Sequence, residues 1–399
     1  MSPSVSANPT SSRITPVDAA RGCAMLMVFL SHTKHHFEGP APELYWVVLS
    51  VTRIATPAFL LLSGFVVRHL LSTDRDGRAG ITLVDRALFL LIVAHALIGV
   101  DSLLDMSATR WFFDRTMITD AIGIALLFAV LLRRRSTTTL LVSGATIFVL
   151  SWIAASVLQF NQPWSQWLAA VTVQWRGSTN PDIDVPVIGY LGVFLMGMAL
   201  HSHLERPLMR SEYERIARRL LFYGVIGVSA ALLGTLAWHF SKEFVEGLLG
   251  GETTGALVRE FLDPRGKRPP SPGYLAFYGG LSLIVLATFF RGKPAALVQP
   301  TVRTTAVIGR ASLMCFIVQD WILLALPRVF GLEDIQSVPF WLAYLMVATA
   351  VIFTLAFLWG RARGNRFLTV GLKALARWRQ ASAQARAVAK PLNSPKHLF

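Results

Sequence analysis

The sequence predicts an all-α protein, a polytopic membrane helix bundle of about ten transmembrane helices with both termini in the cytoplasm. Three observations carry that expectation. The 399 residues are 53% hydrophobic and only 15% charged, where soluble domains carry about 25% charge. Mean hydropathy is +0.51. The apolar residues gather into runs of about 20, the length that crosses a hydrocarbon core, and basic residues fall between the runs.

Ten spans follow in order. The first, 17–37, is the weakest, since it holds Asp18, Arg21 and His32. The second, 44–68, contains Arg53, Pro57 and Gly64; breaks of this kind are tolerated where neighbouring helices re-satisfy the backbone. The third, 83–104, carries His95, and the fourth, 116–132, begins near Asp120. The fifth and sixth, 138–158 and 186–203, and the seventh and eighth, 219–240 and 272–290, are predominantly apolar. The ninth, 304–327, holds Arg310 and Asp320, and the tenth, 338–360, has no Asp, Glu, Lys, Arg or His. Residues 1–12 read as a disordered polar tail, 13–360 as one membrane domain, and 361–399 as a basic cytoplasmic tail. Within that last tail, Phe367 to Trp378 suits an amphipathic helix on the inner membrane surface. The start of the chain lacks a basic n-region before a short apolar stretch, so an uncleaved first helix is expected rather than a signal peptide.

Charge orients the bundle. With the N-terminus inside, most of the 38 Lys and Arg residues fall on the even-numbered connections and the two tails. These include Arg133-Arg134-Arg135, the Arg206 to Arg219 connection and the C-terminal tail, as the positive-inside rule requires. The net charge of +15 is therefore explained by topology, and no nucleic-acid partner is expected. Cys23 and Cys315, the two cysteines, both lie in apolar segments and read as packing residues, with no disulfide or metal site expected. Two outer loops have some length, 159–185 and 241–271. The first carries Trp164 and Trp167, which suit either sugar stacking or the bilayer interface.

Ionisable groups inside a membrane are costly and are functional candidates by default. In span one, Asp18 and Arg21 share a helix face. His32 lies eleven residues after Arg21, roughly 16 Å along the helix and on nearly the same face. A buried histidine can act as a base near neutral pH. The alternative is that Arg21 obeys the positive-inside rule and His32 marks the outer interface with Lys34, His35 and His36. Arg53 either faces a buried partner or snorkels outward, and Ser63-Gly64 suits a close helix contact. His95 is either functional or hydrogen-bonded within the bundle. Asp120 would orient a histidine, bind an acceptor hydroxyl, or cap its helix. Asp320 needs a partner or a proton, and Arg53, at similar depth, is a candidate for that pairing.

Segment 13–32 runs Arg-Ile-Thr-Pro-Val-Asp-Ala-Ala-Arg-Gly and then apolar residues to Ser31-His32. It resembles the opening of the membrane acyltransferase-3 superfamily, an Asp, then Arg-Gly, then a histidine after ten intervening residues. Segment 56–65, ending Ser63-Gly64-Phe65, resembles the family's second helix. Segments 307–324 and 120–127 resemble its heparan-glucosaminide acetyltransferase-like and glucan succinyltransferase-like branches. At Gln319-Asp320 the chain departs from the late helix of the family, which often carries a histidine there.

The resemblance implies an O-acyltransferase with acyl-CoA as donor substrate and no permanently bound cofactor. Its acceptor would be a hydroxyl on a cell-surface glycan, a lipid or an exported small molecule, as in bacterial polysaccharide O-acetylation. It also implies His32 as the catalytic histidine and Arg21 as part of acyl-CoA handling. Asp120 and Asp320 complete the expected catalytic set. The expected substrate-binding set is Arg21, Asp18, Arg53, Ser63, His95, Arg310, Trp164 and Trp167. The expected location is the inner (cytoplasmic) membrane. A proton-coupled transporter or flippase is the rival reading of the same buried charges.

Overall fold

The computed structural model describes residues 13–74, 77–104, 116–157, 172, 185–248, 252–267, 269–291 and 298–372. Helices occur in all ten expected spans, and the described residues contain no β-strand. Eight helices among the described residues are long and apolar enough to cross a membrane. The polytopic membrane bundle is therefore observed. The tails 1–12 and 373–399 lie outside the described residues.

Helix α1 (Thr15–Thr33) starts at Pro16, whose missing N–H costs nothing in a first turn. Asp18 in that turn complements the helix dipole. The second span is two helices, α2 (Pro42–Thr52) and α3 (Ala55–Thr73), broken at Arg53-Ile54. The third is α4 (Arg78–Leu88), a π-helical stretch (Phe89–Ala94) and α5 (His95–Leu104). Then come α6 (Ile118–Leu131), α7 (Thr137–Val157), α8 (Val187–Met209) and the long α9 (Tyr213–Leu248). The loop expected at 241–271 instead continues α9 and adds α10 (Glu252–Leu262), whose Phe261 meets Trp152 edge-on. Packing of α10 against α9, with the Leu262 side chain over Gly234, holds the segment helical.

The eighth span opens with Pro272–Tyr274 and a π-helical stretch (Leu275–Gly279) and continues as α11 (Gly280–Phe290). The ninth is broken at Ala311 into α12 (Val298–Arg310) and α13 (Ser312–Asp320), followed by a third π-helical stretch (Trp321–Ala325). The last span is α14 (Val338–Arg361). π-Helical insertions are rare and frequent at functional sites. The three here directly adjoin His95, Tyr274 and Asp320.

Close backbone crossings hold the bundle together, as expected where lipid removes the usual hydrophobic drive between helices. In the α1–α12 crossing, a Cβ on Gly22 would collide with the Thr305 carbonyl, and one on Gly309 with the Asp18 carbonyl. Each helix thus needs its glycine where the other's backbone passes.

The start of α1, the end of α12 and the segment after α14 meet at one end, here called the basic end. Asp85, 1% exposed, fastens the C-terminal segment there. Its carboxylate accepts from the Thr369 hydroxyl, from Val370 N–H at 3.2 Å and from Leu372 N–H at 3.0 Å. Asn365 accepts from Trp359 Nε1 and donates to the Arg310 carbonyl, both at 3.0 Å. At the opposite end the short turn after α1 carries His36, stacked 3.4 Å from the buried ring of Trp341 in α14.

Candidate functional site

Two polar sites are built along α1 and its neighbours. The first lies at the basic end. Arg21 Nη2 donates to Ser312 Oγ at 2.5 Å, and the guanidinium lies 5.8 Å over the Phe59 ring. Asp18, three residues earlier, meets Arg310 Nε at 3.7 Å. Arg13 and Arg86 lie within electrostatic reach of the same pair. The α1–α12 crossing explains this gathering. Gly22 and Gly309 bring the two backbones together, which sets the residues beside them, Arg21 and Arg310, around one point. Four arginines against two carboxylates, Asp18 and the Asp85 within reach of Arg86, leave an excess of positive charge suited to an anion.

The second site is buried deeper. His95 Nδ1 lies 2.9 Å from both carboxylate oxygens of Asp120, and the two side chains are 7% and 9% exposed. Asp120 Oδ2 also accepts the Met117 N–H at 2.9 Å, capping the start of α6. The carboxylate thus orients a histidine and caps its helix at once, and the histidine is His95. The π-helical stretch after Asp320 packs against α5, where Trp321 Nε1 donates to the Leu97 carbonyl at 3.0 Å. Helix α13 packs against both α1 and α5, so the helix bearing Gln319 and Asp320 runs beside those bearing His32 and His95.

His32 is half-buried, one residue before the end of α1. Arg53 sits in the α2–α3 break, where its carbonyl accepts from Tyr274 Oη at 2.9 Å and its Nε is buried without a hydrogen-bond partner. Ser63 is buried in the α3–α8 contact, beside Gly64, which is pressed against the Phe194 backbone. Asp320 is 4% exposed at the end of α13. Trp164 and Trp167 lie outside the described residues.

Sequence reasoning did not single out several residues that shape these sites. Ser312 stood inside the Gly309-Arg310-Ala311-Ser312 motif, but nothing in the chain marked it as the partner of Arg21. Asp85, near the start of the third expected span, and Asn365, in the basic tail, belong to no motif that marked them. Gln319 is 0% exposed, and neither its amide oxygen nor its amide nitrogen has a hydrogen-bond partner. The departure from the family's late helix at Gln319-Asp320 was the signal available in the chain.

The fold defines a polytopic integral membrane protein with polar side chains buried between its helices. Its particular kind follows from comparison. Residues 15–359 match the family model described as an acyltransferase domain, so the chain belongs to the acyltransferase-3 superfamily and is a membrane acyltransferase enzyme. No curated protein and no solved structure matches the chain.

Proposed function

We propose that the protein moves an acyl group of acetyl or succinyl type from cytoplasmic acyl-CoA to a hydroxyl of a cell-surface glycan, a lipid or an exported small molecule, and that it does so in the inner membrane. One observation carries this reading. A single helix, α1, bears Arg21 anchored to Ser312 within a cluster of arginines and, eleven residues later, His32. Helix α1 would thereby join an anion site to a base across roughly 16 Å, on nearly one face.

The donor's phosphates would bind Arg13, Arg86 and Arg310 at the basic end, with Arg21 lining the path inward. Arginine suits phosphate through paired, planar hydrogen bonds. The thioester would then lie near the level of His32, and the acceptor hydroxyl would arrive from the outer side. His32 takes the hydroxyl proton as the oxygen attacks the thioester carbonyl. The carbon–oxygen bond forms, the carbon–sulfur bond breaks, and the departing thiolate regains that proton as free CoA. Asp320, on the helix beside α1, is the carboxylate assigned to support His32. The His95–Asp120 pair, Arg53, Ser63, Trp164 and Trp167 are assigned to binding the acceptor.

The test is release of free CoA from acetyl-CoA by the protein in nanodiscs, comparing wild type with His32→Ala. Turnover that disappears in a folded, CoA-binding His32→Ala variant supports acyl transfer at His32. Equal turnover in both removes His32 from the mechanism. Wild-type protein that binds no CoA favours the proton-coupled carrier instead.

A further inference from the structure

Gln319 poses a physical problem. Its side chain is wholly buried, yet both ends of its amide lack a hydrogen-bond partner. Leaving a buried donor and a buried acceptor unmade costs free energy at each atom. Groups of this kind in a packed core call for an explanation, and an absent ligand is one.

Position says what that ligand offers. Gln319 follows Ser312 by seven residues in α13, two helical turns, so both project from nearly the same face. Ser312 holds Arg21 of α1. Gln319 therefore stands about 10 Å beyond the Arg21–Ser312 contact at 1.5 Å per residue, while His32 stands about 16 Å beyond it along α1. Helix α13 and the π-helical stretch after it both pack on α1. The free amide thus lies on the way from the arginines to His32, about one turn short of the histidine.

A primary amide offers one donor edge and one acceptor edge side by side. Those two partners can be the carbonyl of one amide and the N–H of the next in a flexible chain, since the C=O and N–H of a single trans amide point opposite ways. The arm of acyl-CoA carries two secondary amides joined by two methylenes, the nearer one separated from the thioester sulfur by two more, a spacing close to one helical turn. We propose that Gln319 docks the arm between them, its Nε2 donating to the carbonyl of the nearer amide and its Oε1 accepting the N–H of the farther one, so that the thioester is set at the height of His32. The proposal rests on the acyl-CoA reading above. Gln319 is a substrate-positioning residue in it and takes no part in proton transfer.

The experiment uses full-length protein in nanodiscs and three acetyl donors: acetyl-CoA, S-acetylpantetheine, which keeps both amides, and S-acetyl ethanethiol, which lacks them. Thiol release is measured for wild type and for Gln319→Leu, with Gln319→Met as a second variant should the first misfold. The expected result is a KM raised at least tenfold for the two amide-bearing donors and no change with the ethanethiol thioester. The ligand-free Gln319→Leu protein should melt no lower than wild type, because the substitution removes two unmade hydrogen bonds. Equal losses on all three donors, or no loss on any, would overturn the assignment. Wild-type protein that binds no CoA and cleaves no thioester would overturn the acyl-CoA reading and this proposal together, a result distinct from either.

Discussion

Arg21 Nη2 donates to Ser312 Oγ at 2.5 Å although 291 positions of chain separate them, tying the first helix to the broken ninth span. The Arg21 Nε beside this contact is buried with no hydrogen-bond partner, so the hydroxyl is a large part of what satisfies a charge in the bundle. Ser312→Ala should weaken folding by about 1–3 kcal/mol and raise the KM for acyl-CoA, since it strips a hydrogen bond from a buried cation. Arg21→Lys should lose more affinity than Ser312→Ala, because an ammonium cannot reproduce the planar donor fork. Thermal melts and initial-rate kinetics in nanodiscs check both.

The α1–α12 crossing predicts that glycine is obligatory at two places. Gly22→Ala and Gly309→Ala each put a methyl into the facing backbone carbonyl, of Thr305 and of Asp18 respectively. Backbone gives way less readily than a side chain, so each change should cost about 1–3 kcal/mol or more. Displacement of Arg21 and Arg310 should follow, read as a lowered melting temperature together with weakened CoA binding. A variant that melts and binds like wild type would contradict the close crossing.

The His95–Asp120 pair is buried, and removal of one member strands the other. Asp120→Leu alone should destabilise by about 3–5 kcal/mol, whereas His95→Phe combined with Asp120→Leu should recover most of that loss. Stability and activity then separate. If the pair only supports the fold, the double variant regains turnover with its stability; if it serves the acceptor side, turnover stays lost in a protein that folds.

His36 lies in the short turn after the end of α1, stacked on Trp341, and its imidazole is held down to about 4 by burial, with the neighbouring His35 adding to the effect. The fold therefore favours neutral His36, and the unfolded chain binds a proton that the folded chain refuses. This contribution to stability is fully present above about pH 6.5 and is lost as pH falls toward 4. Trp341 emission should change with a midpoint near 4 rather than near 6.5, and His36→Phe should abolish that transition. A midpoint near 6.5 would mean that the ring is not held against Trp341.

The spans were legible in the chain because lipid imposes a length and a polarity on every crossing, and both are local properties. The weak first span forms helix α1, but it is not among the eight helices long and apolar enough to cross a membrane. Asp18 and Arg21 are spaced to share a face, and the structure gives each an additional partner on the ninth span. The breaks inside spans were only half visible. Pro57 and Gly64 hinted at one in the second span, yet the break falls at Arg53-Ile54, and the π-helical stretches left no readable mark. The extension of α9 and the whole of α10 were hidden by Gly-rich polar residues, which local propensity assigns to a loop.

The sequence by itself determined the class of fold, the order of the helices and the residues that must be accounted for once charge enters a membrane. It did so because hydropathy and charge patterning act over distances of one helix. Which charged residue meets which was decided only in the tertiary structure. Asp120 was a candidate to orient a histidine, and the packing of α6 on the third span selected His95. Arg21 could have met any neighbour, and the glycine crossing of α1 with α12 set it against Ser312. Such partners depend on where two helices touch and how closely, and that is a property of three-dimensional packing which no local pattern encodes.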